Sequence, residues 1–221
     1  LRGVISVHDP NAQVEIIPIV DGGDGSLKLP IKYFGAELIS SAVLDPIGRT
    51  IDYQWGFNLE THTAIIELAE VSGIRFLRSN ELNPFKVHTF GTGELIIEAI
   101  AKCAQTTYLT VRSSATLDGG FGILIALGAN FPDELGRNIE VNQLSDLCSV
   151  TALNYDRLNK NLHHVSIKML VDVENTLCGN EGAARISGPQ KEVHSFELQI
   201  FEDLIQHWGN LLMTALSQHI F

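Results

Sequence analysis

The sequence predicts an α/β protein, because helical and strand patterns alternate along most of its 221 residues. Apolar runs separated by glycine- or proline-containing turns make the first third rich in β-structure. From residue 85 onward, helical periods and short buried strands follow one another. That order is typical of a layered unit built on a parallel sheet.

The individual elements follow from the same patterns. Strands are predicted at residues 14–20, 36–44, 50–57 and 62–69. Pro30 is expected to kink or shorten the helix that follows the first of them. Further on, helices are predicted over "FGTGELIIEAIAKC", "GGFGILIALGANF" and the tail from residue 192, and strands over "TYLTVRS" and "HHVSIKMLVDV". The tail helix carries an apolar face that we expect to cover the sheet.

An excess of acidic residues argues against binding to nucleic acid or to an anionic membrane. Fifteen Lys and Arg residues against 26 Asp and Glu residues give a formal net charge of −11. This is the wrong sign for a protein that binds nucleic acid or an anionic membrane. An anionic ligand such as ATP would therefore be held by backbone N–H groups, a few placed cations and a metal ion.

Cysteine usage and hydropathy favour a soluble protein of the cytoplasm. The three cysteines are odd in number and widely separated, which fits a reducing compartment. The longest apolar run, "FGILIALGANF", is too short and too rich in glycine to cross a bilayer. The chain opens at Leu1 without a methionine, and we expect the first element of its domain to be missing.

Signatures of the P-loop, the α/β-hydrolases and the zinc proteases are absent from the sequence, and four glycine-marked loops remain as candidate sites. The first, "IVDGGDGS", sets Asp21 and Asp24 among three glycines. It could offer carboxylates to Mg²⁺ or N–H groups to an anion, and it could equally be a tight turn. The second, "NPFKVHTFGTGELI", puts Thr92 and Gly93 at a helix start, where Thr92 either caps the helix or contacts a phosphate.

The third loop, "SSATLDGGFGILIALG", follows a buried strand, where ligands bind in open α/β sheets. Ser114 and Thr116 supply hydroxyls, Asp118 a carboxylate, and Gly119 and Gly120 the freedom to turn into a helix. Its composition leaves a ligand cradle and a structural corner equally open.

The fourth loop, "VDVENTLCGNEGAARISGPQK", follows the next strand and contains Asp172, Asn175 and Lys191. Read singly, its acidic residues are typical of helix caps and turns. Four such loops at strand ends, taken together, indicate a binding site.

In this order and at these spacings, the four loops resemble those of the bacterial type I glycerate kinases, whose members carry closely similar runs. The likeness extends over essentially the whole chain, including "LDPIGR" and "AIIELAEVSG". It implies ATP- and Mg²⁺-dependent phosphorylation of a hydroxyl of D-glycerate. It also implies two α/β domains, a flavodoxin-like parallel-sheet domain inserted into a second, mixed one, with the active site between them.

The resemblance implies a domain layout and residue roles for this chain. Residues 1–84 are expected to form a partial outer domain without its first strand, and residues 85–221 the inserted domain, incomplete at its C-terminal side. Asp21 and Asp118 are predicted to be catalytic and to hold Mg²⁺. The predicted substrate contacts are Asp24, Asp172 and Asn175. The predicted cofactor contacts are Ser114, Thr116, Gly119, Gly120, Thr92, Gly93 and Lys191.

The chain also departs from the family pattern. Family members usually have two glycines where this chain has Arg112 and Ser113, and an asparagine where it has Leu117. The family's N-terminal strand and a long C-terminal portion are absent as well. These departures favour an alternative hypothesis, a truncated, inactive remnant that binds nucleotide or a small organic acid. A third hypothesis is an interaction domain whose tail helix supplies the face of a homodimer.

Overall fold

The computed structural model describes residues 27–133, 135–139, 142–171 and 173–217. Its helices are α1 (Lys28–Tyr33), α2 (Leu68–Ser72), α3 (Phe90–Ala101), α4 (Phe121–Ala126), α5 (Ala183–Ser187) and α6 (Leu198–Ser217). Its strands are β1 (Glu37–Leu44), β2 (Thr50–Asn58), β3 (Thr63–Glu67), β4 (Thr106–Thr110), β5 (Phe131–Pro132), β6 (Asn138–Ile139) and β7 (Ser166–Leu170). Short 3₁₀ turns cover Ile74–Phe76, Leu144–Ser149, Lys160–His164 and Pro189–Lys191. The strand predicted at residues 14–20 lies outside the described residues.

Five strands form one mixed sheet in the order β1-β2-β3-β4-β7. β2 is antiparallel to β1 and β3, whereas β3, β4 and β7 are parallel to one another. β1 therefore runs in the same direction as these three, and the carboxyl ends of four strands share one edge. The predicted α/β class is confirmed. The sheet contains strands from both sides of residue 84, and the division into an outer and an inserted domain stays a prediction.

The burial of each strand follows its place in the sheet. β3 lies between two neighbours and is buried along its whole length. This is expected of a strand that is covered on both faces. β7 lies at the sheet edge and is exposed throughout, with Met169 at 60% exposure. The run predicted as a strand here is also shorter in the structure, since His163 and His164 belong to a 3₁₀ turn.

The main core lies between the sheet and α3. Trp55 of β2, Ile66 of β3 and Leu95 of α3 are fully buried there. The indole N–H of Trp55 donates to Ser41 Oγ at 2.8 Å, so its polar end is satisfied inside the core. α3 is thereby fixed across the sheet, with its first turn at the carboxyl edge beside the end of β1.

α6 packs on a second apolar cluster, which includes Phe121, Phe131 and Trp208. The rings of Phe121 and Trp208 meet edge to face, with centroids 5.7 Å apart. The prediction that the tail helix covers the main sheet is therefore wrong. The helix covers instead the loop that precedes α4 and the turn at Leu144–Ser149. Within the described ranges, no helix is long and apolar enough to cross a membrane.

Pro30 is accommodated in α1, and its predicted effect on the length of the helix stays a prediction. The helix begins at Lys28, so that Pro30 lies in its first turn, where an N–H has no partner within the helix to lose. It ends after six residues at Tyr33. Its N-cap residue, Leu27, is buried against the carboxyl end of β3.

Candidate functional site

The third loop lies at the carboxyl edge of the sheet, directly after β4. The backbone is left-handed at Gly119 (φ +57°) and Gly120 (φ +80°), which lets the chain turn straight into α4. The carbonyl of Gly119 accepts a hydrogen bond from the indole of Trp208 at 3.2 Å. α6 thus holds the loop from outside, and the turn predicted for the glycine pair is present.

Asp118 is the centre of this region. Its side chain is 1% exposed, and its two oxygens accept five hydrogen bonds. Oδ2 accepts from the N–H and the hydroxyl of Thr89, both at 2.8 Å, and from Gly122 N–H at 3.1 Å. Oδ1 accepts from Gly120 N–H at 3.1 Å and from the Thr116 hydroxyl at 3.3 Å. A carboxylate has about four lone-pair sites, so the acceptor capacity of Asp118 is fully used.

These bonds join two helix starts. Thr89 is the N-cap residue of α3, and Gly122 is the second residue of α4. The Thr89 hydroxyl also accepts from Ile123 N–H at 3.1 Å, so one side chain bonds both the carboxylate and α4. We call Thr89, Asp118 and Gly122, with the bonds among them, the Asp118 joint. It fixes the third loop and the second loop relative to each other.

Lys191 reaches the same loop from the other side. Its side chain is 8% exposed, and Nζ donates to Ser114 Oγ at 2.8 Å and to the Thr116 carbonyl at 2.6 Å. Burial lowers the pKa of Lys191 to about 8, although the negative charge of Asp118 acts in the opposite direction. Four predicted cofactor contacts, together with Lys191, therefore share one loop region: Ser114, Thr116, Gly119 and Gly120.

Thr92 and Gly93 are placed differently. Both are buried in the first turns of α3, and the Thr92 hydroxyl lies 2.9 Å from Ser72 Oγ. Thr89 holds the N-cap position of the helix without a capping side-chain bond, and Thr92 lies inside the helix and does not cap it. A Cβ on Gly93 would lie 2.6 Å from the Cβ of Ala126, so this glycine permits the close approach of α3 and α4. Their cofactor contacts stay predictions.

Of the remaining predicted residues the structure describes Asn175, which does not join this group. Asn175 is exposed, and its side-chain amide donates to the Glu181 carbonyl at 3.2 Å. Asp21, Asp24 and Asp172 lie outside the described residues. Their roles stay predictions.

Two polar residues of the carboxyl edge were missed from the sequence. Thr89 carries the contacts of the Asp118 joint, and no local signal distinguishes it from an ordinary cap. Glu67 ends β3 with a fully buried side chain, and its Oε2 accepts from Leu27 N–H at 2.7 Å. A charged residue inside the apolar run "AIIELA" was the available signal, because a carboxylate is buried only when it is paired or hydrogen-bonded.

An apolar cavity of about 260 Å³ lies beside the joint. Its lining comes from the end of β1, the starts of α3 and α4, and a neighbouring loop: Leu44, His88, Phe90, Phe121, Gly122, Ile125 and Asn142. Burial lowers the pKa of His88, partly opposed by Asp118. The lowered pKa favours the neutral imidazole, although the carboxylates of Asp45 and Glu94 also act on it.

The departures from the family pattern have visible effects. Ser113 adopts φ +52°, a backbone conformation that favours glycine, and its carbonyl accepts from Ile74 N–H at 3.1 Å. Leu117 is buried in the cluster under α6, where it packs with apolar neighbours. Both residues are accommodated, and the loop keeps its left-handed turn.

Mg²⁺ does not fit the described residues on their own. No group of three His, Cys, Asp or Glu side chains in those residues could hold a metal ion. Asp118 offers no remaining lone pair, since five donors already occupy its oxygens. The structure therefore supports Asp118 as an organiser of the loop more than as a direct metal ligand.

Comparison with known proteins gives one consistent result. The sequence model of the glycerate kinase family matches residues 1–220. The glycerate kinase of Bacillus subtilis (strain 168) is 32% identical over 218 residues, covering 98% of this chain and 56% of that protein. The glycerate 2-kinase of Escherichia coli (strain K12) is 31% identical over 212 residues, with 94% and 54% covered.

The same holds for solved structures. A crystal structure of a protein assigned as glycerate kinase 2 from Salmonella typhimurium LT2 superposes with a TM-score of 0.82 at 28% identity. It covers 94% of this chain and 56% of its own. The chain thus spans about half the length of the curated relatives it matches.

Proposed function

Because the chain belongs to the glycerate kinase family, we propose that it takes part in the transfer of the γ-phosphoryl group of ATP to a hydroxyl of D-glycerate. Phosphoryl transfer depends mainly on positioning the two substrates and on neutralising phosphate charge. The carboxyl edge supports this proposal, since hydroxyls, left-handed glycines and a buried ammonium meet there. The observation that carries it is the Asp118 joint, which holds two of the four motif loops together.

The carboxylates of Asp118 and Asp21 are given different roles in this proposal. We assign Asp118 to positioning, because its oxygens are saturated by donors and cannot accept a further proton without losing one of them. Asp21 keeps the predicted roles of catalytic base and Mg²⁺ ligand. Asp24, Asp172 and Asn175 keep the predicted contacts to glycerate. The resemblance alone supports these last assignments.

The cellular setting is proposed on coarser grounds. Cys103, Cys148 and Cys178 are free thiols in the structure, which supports a reducing compartment such as the cytoplasm. The net charge of −11 supports small anionic substrates held by local groups and argues against a nucleic-acid partner. The homodimer stays a prediction.

A second candidate is a binding module without turnover. Leu117 replaces an amide side chain of the family pattern by a buried apolar one, which removes hydrogen-bonding groups from the third loop. Such a protein would bind ATP or glycerate through the same loops. It would release no ADP.

The two candidates are separated by a coupled ADP-release assay of the 221-residue chain with ATP and Mg²⁺. We expect ADP release with D-glycerate and none with L-glycerate or without an acceptor, because the acceptor hydroxyl must be held in line with the phosphoryl group. A thermal shift with ATP or D-glycerate, but no ADP release, would select the binding module. The absence of both a thermal shift and ADP release would contradict both candidates.

A further inference from the structure

Glu67 joins the end of β3 to the residue that directly follows the first loop. Its side chain is fully buried, and Oε2 accepts a hydrogen bond from Leu27 N–H at 2.7 Å, across 40 residues of chain. Leu27 is itself buried, and α1 begins at the next residue. A carboxylate is a strong acceptor for a backbone N–H. This bond therefore holds the end of the first loop at the carboxyl end of β3.

The short helix that follows Glu67 is bonded to two further motif loops. Ser72 is the last residue of α2, and its carbonyl accepts from Ala115 N–H at 2.7 Å. The Ser72 hydroxyl lies 2.9 Å from the hydroxyl of Thr92. Ala115 belongs to the third loop and Thr92 to the second. Residues 67–72 thus connect the end of the first loop with the second and third loops.

The first loop is short enough for the position of its end to matter. Asp24 precedes Leu27 by three residues, and Asp21 precedes it by six. Three residues of fully extended chain span at most about 11 Å. A displacement of Leu27 is therefore passed on to both carboxylates and is not absorbed by a long linker.

We propose that Glu67 is a positioning residue for the phosphoryl transfer, acting through its bond to Leu27 N–H. The bond fixes the end of the first loop, and with it Asp21 and Asp24, next to the loops that the Asp118 joint holds together. Glu67 touches no reacting group in this role. The inference rests on the proposed function for the reaction that is positioned.

The test compares two substitutions of the same residue. Glu67→Met keeps the length of the side chain and removes the acceptor, whereas Glu67→Gln keeps an oxygen that can accept from Leu27 N–H. Thr110→Val is the matched control. Thr110 is paired with Glu67 in the register of β3 and β4 and is 4% exposed, and its hydroxyl has no hydrogen-bond partner among the described residues. The control therefore changes a buried polar side chain at the same edge without breaking a bond.

Hydrogen exchange of the 221-residue chain without ligand measures the bond itself. We expect the Leu27 amide to exchange about 10-fold faster or more in Glu67→Met, the usual effect of losing a hydrogen bond to a charged group. Glu67→Gln and Thr110→Val should stay near the wild-type rate. Rates are taken relative to the amides of α3, so that a general loss of stability does not count. An unchanged relative rate at Leu27 in Glu67→Met would overturn the proposal.

Initial rates with ATP, Mg²⁺ and D-glycerate, expressed per folded molecule, measure positioning. We expect Glu67→Met to lower kcat about 10- to 100-fold at an unchanged KM for ATP, because a small misplacement of reacting groups is costly. Glu67→Gln should restore most of the rate. A purely structural Glu67 would lower the urea midpoint and leave kcat unchanged, and that result would also overturn the proposal. If Glu67→Met does not fold, Glu67→Asp replaces it in both measurements, because aspartate draws the acceptor back by one carbon.

The two measurements separate this inference from the proposed function. A wild-type chain without turnover would reject the proposed function, while faster exchange at Leu27 in Glu67→Met would still support Glu67 as the anchor of the first loop. Turnover in wild type with an unchanged kcat in Glu67→Met would keep the proposed function and reject the role of Glu67.

Discussion

Replacing Asp118 with alanine is expected to lower the free energy of unfolding by about 3–5 kcal/mol, the largest effect of any polar substitution at the site. The change removes a carboxylate that is 1% exposed and leaves its donors, which include Thr89 N–H and Gly122 N–H, without an acceptor. Each buried donor left unpaired adds to the loss. Urea unfolding followed by circular dichroism measures the change.

Asp133→Ala is the matched control. Asp133 also accepts backbone N–H groups, from Leu135 and Arg137, and pairs with the Arg137 guanidinium. Its turn is open to solvent, so water replaces the lost contacts and the effect should be much smaller. An Asp118→Ala variant that unfolds at the same urea concentration as wild type would mean that the Asp118 joint does not stabilise the fold.

Gly122→Ala is expected to lower the free energy of unfolding by about 3 kcal/mol or more. In a helix interior, replacing glycine by alanine normally raises the stability by about 0.5–1 kcal/mol. At Gly122, however, a Cβ would lie 2.5 Å from Phe90 N and 2.6 Å from Thr89 N. These are backbone atoms that cannot rotate away, so α4 would have to move off α3 and break the bond from Gly122 N–H to Asp118.

Gly120→Ala separates crowding from backbone strain. Gly120 has φ +80°, and a Cβ there meets no atom within 4 Å. Gly120→Ala should therefore lower the free energy of unfolding only by the strain of alanine in a left-handed backbone conformation, about 1–2 kcal/mol. The urea midpoints of both variants give the comparison. A smaller loss for Gly122→Ala than for Gly120→Ala would contradict the close approach of the two helix starts.

The sequence was sufficient for the parts of the fold that depend on local pattern. The start of α3 and the turn at Gly119 and Gly120 both follow from residue types at short range. The packing of α6 against Phe121 and Phe131 could not be predicted from the sequence. An amphipathic pattern shows that one face of a helix is covered, and it does not show which part of the protein covers it.

The chemistry of the site was only partly predictable for the same reason. Asp118 stands out in sequence as a carboxylate among hydroxyls and glycines, which made it a candidate base. Two of its five bonds come from Thr89, 29 residues earlier, and this partner depends on how α3 crosses the sheet. The number of donors, which decides between an organiser and a base, is therefore a property of the tertiary structure.

The most direct test of the carboxyl edge as the ligand site is differential hydrogen exchange of the 221-residue chain with and without ATP, Mg²⁺ and D-glycerate. We expect added protection in peptides covering residues 88–93, 113–122 and 189–191, because a bound phosphoryl group orders the loops around the Asp118 joint. Peptides of β7 should exchange unchanged. Ligand binding accompanied by protection elsewhere, with no change in residues 113–122, would contradict the assignment of the site.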